Sequence, residues 1–487
     1  MIATAFTKKT VAPTVETWTR PADWLALPAI PTHPPDHQHR QGLVGLCAVP
    51  PEGAYVAFRV SVSVAAASGG RFVVNWGDGT PVEEINENTT VYKTLNYSAY
   101  SGTDSARGYR QAIITVTPKS GQNLTVIQLR NHTSQPNAST PWLDLEINGT
   151  TALTQVTIGA SSVFNRQLER VKIHGLGNVT SLASLFRECN SLAEVILPST
   201  TKITSTAAMF YNCLSLLSVP PMDTTNVADM SNMFFNCYRL KAVPTLNTAK
   251  ATTMASMFYA CIALESVQTS FSTGLCTTFS GMFQSCWKLK APPIFSDTSK
   301  VTIIANMFNG CYELESAPQM NCALVTNASA VFSNCVKLTA LPSYVFPKAL
   351  TDTRWFISGA RKLKSITNVT FSSTLGNMQD FASNAWALSG VPALNLSAST
   401  NTNLAFNRCS SLASVPAGFA AGAKVNIDFR YCSLSAEALN AIFNSLAAIP
   451  SAQTTKPIIY IIGNPGTATC NTALATNKYW VVNKTTA

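Results

Sequence analysis

The chain is short of charge, of long apolar runs and of the motifs that carry chemistry. Charged residues fill 12% of its 487 positions, against 46% hydrophobic residues. That is the reverse of the balance that keeps a chain unfolded. No stretch approaches the ~20 apolar residues of a transmembrane helix. The N-terminal MIATAFTKKTVAPTVETWTRP lacks the apolar core of a signal peptide. Neither end carries a lipidation motif, so membrane insertion is not expected. Asn-X-Ser/Thr triplets such as those at Asn148 and Asn178 then carry little weight. The net charge of +10 reflects scarce acids. No run of Lys/Arg and no basic stripe interleaved with aromatics is visible along the sequence, so nucleic acid is not an expected partner. Histidine is scarce too, with five in all. No Gly-rich phosphate loop, G-X-S-X-G elbow or paired-carboxylate signature appears, so neither an enzyme nor a cofactor is expected.

What the chain has is a repeat. MFYNCLSL at 209–216 returns as MFFNCYRL at 233–240 and as MFYACIAL at 257–264. Alignment on the cysteine gives Cys189, Cys213, Cys237, Cys261, Cys286, Cys311, Cys335, Ala360, Ala385, Cys409 and Cys432, spaced 23–25 residues apart. A degenerate unit with Asn165 at the cysteine position precedes them. A fixed period in the twenties marks a solenoid whose units are stable only when stacked. Within a unit, Met230, Met233, Phe234 and Cys237 fall at i, i+3, i+4 and i+7, the spacing of one helix face. Phe210, Phe258, Phe283 and Phe308 hold the same place as Phe234 in their own units. Leu240, Val243 and Pro244 then lead into a short strand, and a polar loop such as 223–227 returns the chain.

The repeated cysteine could be a metal ligand, a disulfide half or a packing residue. Zinc sites need paired ligands a few residues apart, and no unit has a second Cys or a His at that spacing. Disulfides between rungs would fit a strand spacing of ~4.8 Å. Yet Ala360 and Ala385 interrupt the series, as a small packing position tolerates. The packing reading is therefore preferred, because free cysteine behaves as a small buried hydrophobe.

The stretch LSVPPMDTTNVADMSNMFFNCYRL (217–240) resembles the BspA-type leucine-rich repeat in its Met/Phe-rich form. Residues of about 185–435 share the pattern, which blurs at FPKALTDTRWFISGARKL (346–363). The resemblance implies a right-handed solenoid used for adhesion or protein contact, without catalysis.

Before the repeat, GAYVAFRVSVSVAAAS, RFVVNWGDGTPVEEI, GYRQAIITVTP and NLTVIQLRN read as strands. VNWGDGT (74–80) resembles the signature of PKD-like β-sandwich domains, in which the Asp and glycines shape a tight hairpin over the Trp. A calcium or catalytic role for Asp78 is the sharper alternative; a lone acid in a turn supports it poorly. The first 42 residues form a Pro-rich arm with Trp18, Arg20, Pro21 and Trp24, expected to be extended and docked on something larger. His33, His37 and His39 in HPPDHQHR could bind a transition metal, against the plainer reading of an exposed polar arm.

The fold expected is thus multi-domain: an attachment arm at 1–42, a PKD-like β-sandwich at 43–142, and a leucine-rich-repeat α/β solenoid of about 12 units at 143–450. A C-terminal cap at 451–487 completes it, with a helix expected just before in CSLSAEALNAIFNSLAAIP (432–450). WTRPADWLALP (18–28), GLVGLCAVPPEGAYVAF (42–58) and VNWGDGT together resemble the N-terminal module of certain tailed-bacteriophage virion proteins. That resemblance implies a virion structural protein, a capsid decoration or neck appendage, assembled in the host cytoplasm and then released. The alternatives are a tail fibre or receptor-binding adhesin, and a bacterial surface adhesin. Expected partners are other virion proteins, further copies of the chain and a host-surface ligand. Of the remaining cysteines, Cys276 aligns with the core position of Val227, Val301 and Val325. Cys47, Cys470 and Cys322 lie where a thiol is expected to be reachable, and Cys47, or failing it Cys470, is the candidate for an intermolecular disulfide.

Overall fold

Backbone bonding shows how one 24-residue unit closes on the next. The computed structural model describes residues 17–30, 41–63, 69–102, 104–134, 139–160, 163–268, 270–347, 350–371 and 375–485. Around Cys213, alternate amides point two ways. Met209, Tyr211 and Cys213 donate to the carbonyls of Thr206, Ala208 and Phe210, three residues back, at 3.1–3.2 Å. Thr206, Ala208, Phe210 and Asn212 donate instead to Asp229, Ser231, Met233 and Phe235 of the following unit, at 2.8–3.0 Å. Left-handed residues reset each turn: Ala208 (φ 53°) and Asn212 (φ 59°), then Asn232 (φ 55°) and Asn236 (φ 58°).

An α-helix does not admit such residues, so the helical turn expected in each unit is not formed. A ribbon of successive turns also brings an apolar side chain inward every three or four residues. Met230, Met233, Phe234 and Cys237 are accordingly all fully buried. The architecture is a mostly-β solenoid with about 14 turns, where an α/β array of about 12 was expected. The additional turns sit at the ends, where strands stack without a cysteine to mark them. The blurred segment keeps the ladder: Phe332 and Asn334 donate to Phe356 and Ser358 at 3.0 and 2.7 Å. Only the ring turns, Phe356 lying edge-on to Phe332 at 6.2 Å.

Along the interior, Phe186, Phe210, Phe234, Phe258, Phe283 and Phe308 form a column with neighbouring centroids 5.3–5.6 Å apart. The cysteines line up beside it, and from Cys213 onward each thiol of the column donates across the rung. Cys213 Sγ reaches the Phe186 carbonyl at 3.1 Å, Cys237 that of Phe210 at 3.2 Å, and Cys261 that of Phe234 at 3.1 Å. Cys286, Cys311, Cys335, Cys409 and Cys432 repeat the contact at 3.0–3.2 Å. The thiol is thus a small core residue that also satisfies part of a backbone carbonyl, and the smaller alanine is buried at the same position in two units without that weak bond.

Eleven strands build the first part of the chain: β1 (Gly42–Val49), β2 (Ala54–Val62), β3 (Arg71–Asn75), β4 (Glu83–Asn86), β5 (Thr90–Leu95), β6 (Arg110–Pro118), β7 (Leu124–Arg130), β8 (Trp142–Gly149), β9 (Gln155–Thr157), β10 (Arg170–Leu176) and β11 (Glu194–Ile196). One sheet runs β11-β10-β8-β1-β6-β3-β4 and a second runs β5-β2-β7-β9. Their facing sides share a core in which Phe58 of β2 meets Phe72 of β3 at 6.4 Å and Trp76 at 5.9 Å. Gly45 in β1 is needed there, since a Cβ would lie 2.4 Å from the Trp142 ring.

These sheets are not a separate body, as the expected division at 142/143 would have it. β8 pairs antiparallel with β1 and parallel with β10, which pairs in parallel with β11. β8 is therefore at once the last strand of the N-terminal block and the first rung of the solenoid. On the other side β9 adds in parallel to β7. Both solenoid ladders grow out of the N-terminal sheets.

The far end is closed by α1 (Ala436–Ser445), which Ser435 caps by accepting from the Ala438 amide at 3.2 Å. Lys478 Nζ donates to the carbonyls of Phe443, Asn444 and Leu446 at 2.7–3.1 Å, covering the orphan carbonyls of the helix end. Strands Ile458–Tyr460 and Val481–Asn483 then extend the parallel ladder from Ile427–Asp428.

Candidate binding surface

The arm residues expected to reach another protein are held by this one. Arg20 donates to the Trp24 and Leu25 carbonyls at 2.9 and 2.6 Å and through Nε to Asp144 at 3.0 Å. Pro21 starts the turn that brings the Trp24 amide back to its carbonyl at 3.1 Å. Trp24 is buried against Leu46, Ala48, Tyr109 and Leu143, and its Nε1 donates to Tyr109 Oη at 3.0 Å. Trp18 packs on Trp24 and donates to Glu169 at 3.3 Å. These four side chains clasp residues 17–30 onto the junction of β1 and β8. The physical reason is a buried charge. Asp144 is fully buried and takes Arg20 on one oxygen and Arg170 on the other, at 3.0 and 2.9 Å. Arg20→Ala is expected to lower stability by about 2–3 kcal/mol in urea unfolding. That is less than the ~3–5 kcal/mol of an orphaned buried charge, because Arg170 remains.

A cleft of about 510 Å³ beside this pair is lined by Arg20, Asp144, Glu146, Arg170 and Glu194. Burial would raise the Glu146 pKa, but bonds from His174 and Arg170 outweigh it and hold the group below its ordinary range. Asp144, Glu146 and Glu194 each pair with Arg170, at 2.9, 3.2 and 3.1 Å.

The other residues singled out in the sequence fall in structural places. Asp78 sits in the loop between β3 and β4, where Oδ1 accepts the Thr80 amide at 3.0 Å and the Thr80 hydroxyl at 2.5 Å. Its modest burial, which raises the pKa, is outweighed by the Thr80 bonds and Lys93, so the carboxyl lies below its usual range. Gly77 beside it has φ +71°, and an added Cβ would lie 2.5 Å from the Ile113 carbonyl oxygen. Trp76 is buried beneath this loop. His33, His37 and His39 lie outside the described residues. Among the described residues, no group of three or more His, Cys, Asp or Glu could hold a metal ion. Nor is any helix there long and apolar enough to cross a membrane.

The reachable thiols were misplaced. Cys47, Cys322 and Cys470 are 0%, 2% and 8% exposed, and all thirteen cysteines are buried and unpaired. Cys47 points from β1 into the space between the sheets, and Cys322 occupies the interior column of Thr248, Thr273 and Thr298. Cys276 is buried too and donates to the Ala251 carbonyl at 3.1 Å. Burial pushes the Cys276 and Cys322 thiols up to about 12 and raises the Cys47 thiol well above its ordinary value. An intermolecular disulfide through these sulfurs would require local unfolding. A disulfide-reagent titration of the native protein at pH 8 is expected to find essentially no reactive thiol, and all 13 after denaturation.

What the sequence did not display, stacking assembles. From the rung of Cys213 to that of Cys409, the first, second and fourth positions after the core residue are exposed or half-buried, at successive rungs held in register. Glu265 N bonds Lys241 O at 3.1 Å, Glu315 N bonds Lys290 O at 3.0 Å, and Ser389 N bonds Lys364 O at 2.9 Å. The first of these positions carries Tyr238, Trp287, Tyr312 and Trp386, which are 39%, 46%, 43% and 45% exposed. Such exposure is high for large aromatic side chains, and here they recur along a single line. Trp287 and Tyr312 touch at 6.0 Å, and the Arg361 guanidinium lies 4.3 Å from the Trp386 centroid. Flanking them are Arg239, Lys241, Lys288, Lys290, Lys337, Arg361, Lys362 and Lys364, against Glu265, Glu313 and Glu315. Eight cations against three carboxylates leave a surplus of five, half of the chain's net +10. Lys337 and Glu313 of this group form an ion pair at 2.5 Å. A shallow cleft of about 310 Å³ at the C-terminal end is lined by Trp386, Arg408, Ser410 and Tyr431. A basic stripe interleaved with aromatics is therefore present, contrary to the linear reading.

Comparison with known proteins concerns the solenoid. Five overlapping stretches, 151–245, 180–294, 204–319, 239–346 and 277–393, match the family described as "Mycoplasma protein of unknown function, DUF285". The repeat is similar to that family. Among solved structures, a leucine-rich repeat protein from Eubacterium ventriosum is 16% identical over 56% of this chain and 92% of its own, with a TM-score of 0.30. A chain of the TLR13–ssRNA13 complex is 13% identical over 70% of this chain and 54% of its own (TM-score 0.25). A chain of the Drosophila Toll–Spatzle complex is 10% identical over 72% of this chain and 67% of its own (TM-score 0.17). No curated protein matches the chain.

Proposed function

We propose that the chain is a non-catalytic structural and binding protein of a tailed-bacteriophage virion, a capsid decoration or neck appendage. The N-terminal block faces the particle and the solenoid points outward. The observation that carries this reading is the joining of the lead segments into one unit. Trp24 of WTRPADWLALP packs on Leu46 and Ala48 of GLVGLCAVPPEGAYVAF, in the same sheet that carries Asn75 of VNWGDGT. The resemblance to virion modules thus rests on residues that fold together, which supports treating them as one PKD-like module. Its partners are other virion proteins and further copies of the chain. With the clasp residues occupied internally, the contact to the particle falls to other surfaces of the block. Mass spectrometry of gradient-purified particles tests the proposal. The protein is expected at a fixed ratio to the major capsid protein, whereas its presence only in the host-cell fraction would exclude a virion role. The exposed stripe favours a second reading, a receptor-contacting adhesin. An antibody to the solenoid that blocks adsorption would support it.

A further inference from the structure

We infer that the cleft between Trp386 and Tyr431 binds a single carboxylated sugar unit, free or at the end of a glycan. The inference stands on this cleft alone and does not depend on where the protein is assembled. The backbone marks the place. The position before each core residue is left-handed, and from Asn212 to Asn384 it holds only Asn, Ala, Ser or Gly, at φ 53–76°. At the next two rungs it holds Arg408 and Tyr431, both at φ 61°. Bulky side chains are strained in that conformation, and such outliers cluster where ligands are held. Both line the cleft, together with Trp386 and Ser410.

Each aromatic ring is fixed by a neighbour and still open to solvent. Arg361, which does not line the cleft, stands 4.3 Å from the Trp386 centroid. The turn at Gly463 packs on Tyr431, since a Cβ there would lie 2.7 Å from Tyr431 Cδ1, yet Tyr431 is 42% exposed. Arg408 is the cation of the cleft, 5.7 Å from the Tyr431 centroid. Among the described residues it enters no ion pair, and no carboxylate lines the cleft. One unpaired guanidinium fork matches one carboxylate. A phosphate monoester, with nearly two charges and three oxygens, asks for a second lining cation that is not there.

The spacing of the rings selects the body that carries the carboxylate. Trp386 and Tyr431 come from rungs two apart, roughly 10 Å. A flat base or phenyl ring touching both would need walls about 7–8 Å apart. A puckered sugar ring with its equatorial substituents is thicker, and it offers an apolar C–H face to each aromatic. Its hydroxyls find Ser410 Oγ, which donates to the Trp386 carbonyl at 3.2 Å and keeps its lone pairs. A volume of about 310 Å³ is at the small end of ligand sites, room for one such unit.

Methyl β-D-glucuronide and a methyl α-sialoside are the probes, titrated into the full-length protein by saturation-transfer NMR and calorimetry at 0.15 M salt. Saturable binding of at least one is expected, with methyl β-D-glucoside and AMP at least tenfold weaker. The free sugar acid binding as tightly as its glycoside would point to the free acid, and a tighter glycoside to a glycan end; either supports the inference. Arg408→Asn installs the residue that the ladder itself uses at this φ. It should melt no lower than the parent while binding falls at least tenfold. Trp386→Ala should weaken binding about fivefold. Lys250→Gln on another face, where Lys250 bonds Asn226 at 2.6 Å, should leave it unchanged. Circular dichroism confirms that each variant is folded before its titration is read. Binding of neither sugar acid by the intact protein would overturn the inference. So would equal binding of the neutral glucoside, equal or tighter binding of AMP, or indifference to both cleft variants.

Discussion

Phe258→Ala is expected to destabilise the whole solenoid by about 3–5 kcal/mol, the usual cost of emptying a large buried aromatic site. Phe258 is fully buried at mid-column, 5.5 Å from Phe234 and 5.3 Å from Phe283, and its carbonyl accepts the Cys286 thiol. Its neighbours are pinned by inter-rung amide bonds on both sides, so they cannot collapse into the void. Guanidinium unfolding should show a lower midpoint with an unchanged slope. An unshifted midpoint would mean that the ring does not point inward.

Trp24→Ala should cost a comparable ~3–5 kcal/mol, although the residue lies in a Pro-rich lead with no regular structure. It loses a buried indole, its bond to Tyr109 and the surface on which the Arg20 and Arg107 guanidiniums lie, at 5.5 and 5.6 Å. Water would then reach the Arg20–Asp144 pair. The effect distinguishes a clasp from an attachment arm, because truncating an external contact would leave the melting temperature of the isolated protein unchanged. Differential scanning calorimetry makes the comparison.

The sequence displays those features that recur with the repeat. Phe, Cys and Leu at fixed offsets announce the interior columns, and the period announces stacking. The backbone within a unit was misread because three-residue turns and a helix place apolar side chains almost alike. A signal was nevertheless present: Asn212, Asn236 and Asn334 stand immediately before the cysteine, and asparagine is among the few residues that tolerate the left-handed region. The stripe is legible only when residues 24 or 25 apart are read as neighbours, since its cations are scattered singly or in small groups along the chain. The clasp leaves no such trace. Arg20 and Asp144 are separated by 124 positions, and nothing local to either names the other. Nor does composition show that Cys47 faces inward, because the strand that holds it is buried on both sides.

The central structural claim is that lead, paired sheets and solenoid form one continuous ladder. Thermal unfolding of the intact protein, Trp24→Ala and Phe258→Ala, followed by calorimetry, tests it most directly. The two substitutions sit in opposite parts of the chain, the clasp and the middle of the repeat. A continuous body predicts one transition in each protein, shifted downward by either change, because neighbouring turns are stable only together. Two separate transitions, with Trp24→Ala moving one and Phe258→Ala moving only the other, would contradict it.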